Sequence, residues 1–192
     1  MIHYNKINKK YILWMVIVGI WLIVCVIGNI NVNKRFPKPI DEYYYLGDTV
    51  EYLGMQIKAE EILYKNDDGM IDNYPEINIK KKEGRNWLVV KLDVKNVSDK
   101  VIDFETDILP NIAMVAYPIG YMNQGSAYAL KDNKQLKFSL EEEKEVIIYF
   151  AVGNGQVRQE RRKKFLESQF YLDFSLYPEH KAFVFNGVDS KI

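Results

Sequence analysis

The hydrophobic pattern separates a short, uniformly apolar stretch from a longer part in which apolar and polar residues alternate. Residues 11–28 read YILWMVIVGIWLIVCVIG and contain no charged side chain. A helix of that length extends about 27 Å, which is close to the hydrocarbon thickness of a bilayer. Its apolar side chains would occupy every face, as in a segment surrounded by lipid. The pattern therefore predicts a transmembrane helix over residues 11–30.

Two alternatives to an uncleaved anchor remain open. In a cleaved signal peptide, the lysines before the stretch would form the basic start and residues 11–25 the apolar centre. However, the apolar run reaches the weak cleavage site at residues 26–28 without a polar segment. A lipidated Cys25 would need a small residue before it, whereas Val24 is bulky and β-branched. The uncleaved anchor is therefore our prediction.

Basic residues beside the helix predict its orientation. Three stand on each side, namely Lys6, Lys9 and Lys10 before it and Lys34, Arg35 and Lys38 after it. The first group abuts the span and the second begins farther away, and basic residues close to a span favour the cytoplasmic side. We therefore expect residues 1–10 to form a cytoplasmic tail. The rest of this single-pass membrane protein is expected to lie outside the cytoplasm.

Beyond the anchor, alternating patterns predict strands. Residues 31–44 are polar, contain two prolines and are predicted to be a linker. In residues 87–96, Leu88, Val90, Leu92 and Val94 share one face, and the opposite face is mostly polar. About seven to nine such strands, interrupted by a helix-favouring segment at 156–168, are typical of a β-sandwich. The predicted fold is thus mostly β, with an antiparallel sandwich over residues 45–192.

Three short motifs carry a resemblance to a known family. They are Leu46-Gly47-Asp48-Thr49-Val50, Met55-Gln56-Ile57-Lys58, and the strand and turn that read WLVVKLDVKNVSD from Trp87 to Asp99. Residues 45–152 resemble the telokin-like, immunoglobulin-like extracytoplasmic domains of Firmicutes. The resemblance implies an immunoglobulin-like sandwich on a lipid anchor or single span, without an assigned activity. It transfers no catalytic residue to this chain.

Composition excludes several classes of function. The chain has 26 basic and 26 acidic residues, so it lacks the positive charge that nucleic-acid binding requires. Its single cysteine, Cys25, lies in the predicted span, which leaves the domain without a disulfide or a thiol nucleophile. The domain has one histidine, His180, which we expect in a surface turn. No zinc-ligand pattern, phosphate loop or nucleophile elbow appears, and we predict no cofactor.

The helix-favouring segment is also the strongest basic patch of the domain. Its positive side chains are Arg158, Arg161, Arg162, Lys163 and Lys164. Each could add up to about 1 kcal/mol to binding near an anionic surface. These five residues are the predicted contact with anionic lipid headgroups or a wall polymer. The alternative is an ordinary solvated surface helix.

Two other clusters have a functional and a structural interpretation. Tyr43, Tyr44 and Tyr45 either cover an edge of the domain or form a stacking platform for sugars. Asp67 and Asp68 suggest calcium, but an EF-hand with Gly69 in its sixth position would place Tyr64 first, where a carboxylate is required. We therefore expect residues 65–82 to be a solvated loop and predict no metal site.

These observations favour a binding module over an enzyme. The predicted function is a membrane-anchored, extracytoplasmic β-sandwich that binds an envelope protein or a wall polymer. One alternative is a glycan-acting enzyme that uses paired carboxylates such as Glu60 and Glu61. Another is an accessory subunit of a membrane complex that associates through the span and a sheet edge.

Overall fold

The N-terminal part of the molecule is a single long helix. The computed structural model describes residues 9–130 and 135–188, so most of the predicted cytoplasmic tail and the last four residues lie outside the described part. Helix α1 spans Lys9–Arg35 and carries exposed apolar side chains on all sides. In the described part of the chain it is the one helix that is long and apolar enough to cross a membrane. It is therefore a candidate membrane span or signal sequence.

Helix α1 continues into the region that was predicted to be a linker. Asn33 Nδ2 donates to Asn29 Oδ1 one turn earlier at 2.9 Å, which supports the helix beyond its apolar part. Pro37 and Pro39 follow its last turn, because proline cannot continue a helix. Ile40–Tyr44 then form a strand. The predicted linker over residues 31–44 is therefore wrong for most of its length, and only residues 36–39 lie between the two elements.

The chain divides at Pro39, and the unit that begins at Ile40 is built from strands. In its described part there are twelve: β1 (Ile40–Tyr44), β2 (Thr49–Tyr52), β3 (Met55–Asn66), β4 (Asn86–Asn96), β5 (Ile102–Asp103), β6 (Ala113–Tyr117), β7 (Tyr121–Gln124), β8 (Ser126–Ala129), β9 (Lys137–Phe138), β10 (Glu143–Val152), β11 (Gln169–Ser175) and β12 (Glu179–Asn186). Two short α-helices accompany them, α2 (Asp67–Asn73) and α3 (Arg162–Leu166).

The strands form two five-stranded sheets. Sheet I has the order β1-β12-β11-β6-β7, and sheet II has the order β2-β3-β4-β10-β8; β5 and β9 form a separate small ladder. Strand β1 runs parallel to β12, whereas the other pairs in the two sheets are antiparallel. Strands β3-β4-β10-β8 and β6-β11-β12 correspond to the A-B-E-D and C-F-G strands of an immunoglobulin sandwich. The predicted immunoglobulin-like antiparallel fold is confirmed.

Alternating side chains from both sheets fill the core. Leu88, Val90, Leu92 and Val94 are fully buried, as their alternation predicts. From the short helical insertion, Phe165 of α3 reaches into the same core, with its ring centroid 5.1 Å from that of Phe170. The insertion predicted between residues 156 and 168 is therefore present, and one apolar residue attaches it to the sandwich.

A second, smaller apolar cluster covers part of the outer face of sheet II. Met70, Tyr74 and Ile77 pack against residues of β3, β4 and β10 that point away from the main core. The segment 65–82 is therefore not the solvated loop that its polar composition predicts. Asn66 caps α2 by accepting a hydrogen bond from the Gly69 amide at 2.7 Å.

Candidate binding surfaces

An open groove lies between the two sheets on one side of the sandwich. Its volume is about 820 Å³. It is lined by Tyr45 and Leu46, by Glu60–Leu63 of β3, by Leu166 and Glu167 after α3, and by Val184–Val188 at the end of β12. Apolar and acidic residues therefore meet at one open groove.

The groove exists because two neighbouring strands end early. Strand β2 pairs with β3 only over Met55–Lys58, and a register shift between Ala59 and Glu61 marks a bulge at Glu60. Strand β1 pairs with β12 only as far as Phe183. Within the described residues, no strand lies beside β3 after the bulge on the β2 side, or beside β12 after Phe183 on the β1 side. The groove is thus lined by two unpaired strand edges.

The charged residues that line the groove are all acidic. They are Glu60, Glu61 and Glu167. Glu60 Oε1 lies 2.5 Å from Lys58 Nζ, and the hydrogen bond from this lysine outweighs desolvation and lowers the pKa of Glu60. The predicted carboxylate pair Glu60 and Glu61 therefore lies at the groove, together with a third carboxylate that sequence reasoning missed.

His180 lies on strand β12 between two carboxylates, so its predicted place in a surface turn is wrong. Its Nδ1 is 3.0 Å from Asp41 Oδ1 of β1, and its Nε2 is 3.1 Å from Asp173 Oδ1 of β11. Partial burial opposes the charge on the ring, but the hydrogen bonds and charges of both aspartates outweigh it and raise the pKa of His180. Asp41 is far from His180 in the chain, and no local signal predicts this pairing.

The three consecutive tyrosines point in different directions because side chains alternate along a strand. Tyr43 lies on the outer face of sheet I, 5.9 Å from Tyr171 between ring centroids. Tyr44 packs against Phe183 and donates to Glu42 at 2.9 Å. Tyr45 is exposed and lines the groove. The alternative of a single sugar-stacking platform built from all three is therefore wrong.

The structure separates one member of the predicted basic surface from the other four. Arg158, Arg161, Lys163 and Lys164 are exposed. Arg162 is partly buried, and its Nη2 donates to the Gly84 carbonyl and, at 2.8 Å, to Asn154 Oδ1. Arg162 therefore forms hydrogen bonds within the domain, because it precedes Phe165 by one helical turn on the side of α3 that faces the sandwich.

The carboxylate of Asp67 is hydrogen-bonded to donors of the protein itself. It accepts hydrogen bonds from the Lys82 amide at 2.7 Å, from Arg85 Nε at 3.0 Å and from Trp87 Nε1 at 2.6 Å. Burial raises the pKa of Asp67, but these bonds outweigh burial and leave the pKa lowered. No cluster of three potential metal ligands occurs among residues 9–130 and 135–188.

Comparisons with known proteins show the fold. No family model matches the chain, and no curated protein matches it. It is similar to an uncharacterised β-sandwich protein from Clostridium difficile, with a TM-score of 0.52 and 11% identity over 77% of this chain and 95% of that chain. A functionally unknown protein from Listeria monocytogenes is also similar, with a TM-score of 0.43 and 12% identity over 75% of this chain and 82% of that chain. The yjhA protein from Bacillus subtilis has a TM-score of 0.38 and 8% identity over 77% of this chain and 88% of that chain. The chain thus shares a β-sandwich fold with the Clostridium difficile protein.

Proposed function

We propose that this protein is a single-pass, membrane-anchored module whose sandwich lies outside the cytoplasm and binds an envelope or wall partner. The observation that carries the proposal is the open groove with two unpaired strand edges. Unpaired backbone groups beside exposed apolar residues, here Tyr45 and Leu46, form a surface suited to another chain. We further propose that the domain belongs to the telokin-like group.

Site-specific cross-linking in intact cells tests this function. A photoreactive amino acid at Tyr45 or Leu46 would sit in the groove, and one at Met122 would be equally exposed outside the groove. We expect a discrete cross-linked product from the groove positions and none from Met122. Identical products from all three positions, or none from the groove, would contradict a binding role for this surface.

Protease treatment of intact cells tests the compartment. We expect added protease to remove the sandwich while helix α1 stays with the membrane fraction. Complete protection of the domain in intact cells, followed by digestion after lysis, would place it in the cytoplasm instead.

A glycan-acting enzyme is the second candidate, favoured by three carboxylates in one groove. A glycosidase requires one carboxylic acid that donates a proton and one ionised carboxylate. The lowered pKa of Glu60 suits only the ionised role, which leaves the acid to Glu61 or Glu167. Release of reducing ends from purified wall glycans, lost in Glu60→Gln and in one of the variants Glu61→Gln and Glu167→Gln, would establish this activity.

A further inference from the structure

We infer that the groove binds an extended, lysine- or arginine-bearing peptide segment of a partner protein, which pairs with a free strand edge. This inference rests on the proposed binding function and names the chemical class of the partner. It is carried by the strand pairing, the charge and the apolar lining of the groove.

The backbone provides the first part of the recognition. Residues Glu61–Leu63 of β3 pair with β4 on one side, and Val184–Asn186 of β12 pair with β11 on one side. The described residues place no strand on the other side of either segment. Unpaired N–H and C=O groups at a sheet edge pair readily with an added strand, which requires an extended peptide.

The negative charge of the groove provides the second part of the recognition. Glu60, Glu61 and Glu167 line the groove, and its lining contains no lysine, arginine or histidine. Glu60 is already paired with Lys58. Neither Glu61 nor Glu167 forms an ion pair with another residue of the described part. A cationic side chain of the partner complements these two carboxylates, whereas an anionic polymer would be repelled.

The apolar residues of the groove provide the third part of the recognition. Leu46 is half exposed and Leu166 is partly buried, and both line the same groove as the carboxylates. Side chains of an added strand alternate between its two faces, so every second residue would point to the same side. A segment in which basic and aliphatic residues alternate matches this mixture of acidic and apolar surface.

Binding of synthetic peptides to the full-length protein in detergent micelles tests the inference. The probes are labelled peptides of about ten residues with a repeating Lys-Val, Glu-Val or Lys-Pro sequence. The Lys-Pro probe keeps the charge, but every second residue lacks an amide donor and has its φ fixed by the proline ring, which disfavours a β-ladder. We expect the Lys-Val peptide to bind, the Glu-Val peptide not to bind, and the Lys-Pro peptide to bind more weakly than Lys-Val.

Matched variants locate the binding. The double variant Glu61→Gln/Glu167→Gln should weaken binding of the Lys-Val peptide by about tenfold. Glu76→Gln/Glu160→Gln makes the same change in net charge at two exposed glutamates outside the groove and should leave the affinity unchanged. Bound peptide should slow amide exchange at Glu61–Leu63 or Val184–Asn186.

Any other pattern of results would overturn the inference. Equal binding of Lys-Val and Lys-Pro excludes strand pairing, and equal effects of the two double variants exclude the groove. Preferential binding of glucosamine oligomers in place of the Lys-Val peptide would make the partner a cationic glycan. These outcomes leave the proposed function intact, because that function is tested separately by cross-linking from the groove positions and by protease treatment of intact cells.

Discussion

At the scale of single residues, His180 connects the edge strand β1 to the interior of sheet I. Asp41 and Asp173 face its two ring nitrogens, and Tyr43 packs edge-on against the ring. Both nitrogens can donate at once only in the imidazolium form. The raised pKa of His180 therefore means that the folded state binds this proton more tightly than the unfolded state.

The first prediction concerns pH. An unfolded histidine titrates near pH 6.5, so the stabilisation by His180 is complete below that pH and is lost as pH rises through the raised pKa. Urea midpoints of the full-length protein in detergent, measured by pulse proteolysis, should therefore fall as the pH rises above about 6.5. His180→Gln should flatten this dependence. An NMR titration that places the pKa of His180 at or below that of an unfolded histidine would contradict the prediction.

A second residue-scale prediction separates Arg162 from its neighbours. Arg162 joins the loop before β4, at Gly84, to the loop after β10, at Asn154. Arg162→Gln should lower the free energy of unfolding by about 2 kcal/mol, because charge-assisted hydrogen bonds are lost. Arg161→Gln, at an exposed position, should change it by less than about 0.5 kcal/mol. Equal urea midpoints for the two variants would refute the structural role of Arg162.

At the scale of elements, the segment 65–82 adds a partial third layer to the sandwich. The outer face of sheet II carries Trp87, Val89 and Ile147, which would contact water without this cover. Asp67 holds the segment through its bonds to Arg85 and Trp87. The layer therefore depends on one buried carboxylate and a few apolar contacts.

Met70 tests the energetic contribution of this layer. Its side chain is fully buried, so Met70→Ala should lower the free energy of unfolding by about 3 kcal/mol through lost contacts and a residual cavity. Met122 is 64% exposed, and Met122→Ala should cost less than about 0.5 kcal/mol. Urea denaturation of both variants provides the comparison. A small effect at Met70 would mean that the segment is not firmly packed.

The basic segment around α3 yields a fourth prediction. We expect Lys163 and Lys164 to lie against anionic lipid, so their acetylation should be slower in anionic than in neutral nanodiscs. Exposed Lys100 serves as the control and should react equally in both. High salt should remove the difference because screening weakens exposed charge contacts. Equal acetylation of Lys163 and Lys164 in both lipids would leave α3 a solvated surface helix.

At the scale of the whole molecule, helix α1 is a candidate membrane span or signal sequence, and we expect it to anchor the sandwich to the membrane. Two arginines near the middle of α1, in Ile20→Arg/Ile23→Arg, should raise the apparent cost of membrane insertion by about 6 kcal/mol. Asn31→Arg/Asn33→Arg adds the same charge near the end of the helix, where the cost is small. Alkaline carbonate extraction should release the first variant and retain the second. A wild-type protein that is soluble and lacks residues 1–28 would instead indicate cleavage of a signal peptide.

Regular alternation allowed β4 to be predicted from the sequence, because one face of this strand had to be apolar to fill the core. Uniform apolarity likewise predicted α1. Strand β1 was missed, since its residues are polar and it is held by the backbone of β12 and by the pairing of Asp41 with His180. The packing of segment 65–82 against sheet II was missed because its apolar residues are sparse and show no regular period.

The order of apolar and polar residues was sufficient to predict the apolar helix and a mostly-β sandwich, but it gave about seven to nine strands where the described part has twelve. These features depend on periodicities of a few residues, which a single chain displays directly. Tertiary structure alone decided where β1 and β2 stop pairing, which carboxylates meet in the groove and which aspartates face His180. Those features join residues that are distant in the chain, and local periodicity carries no information about such contacts.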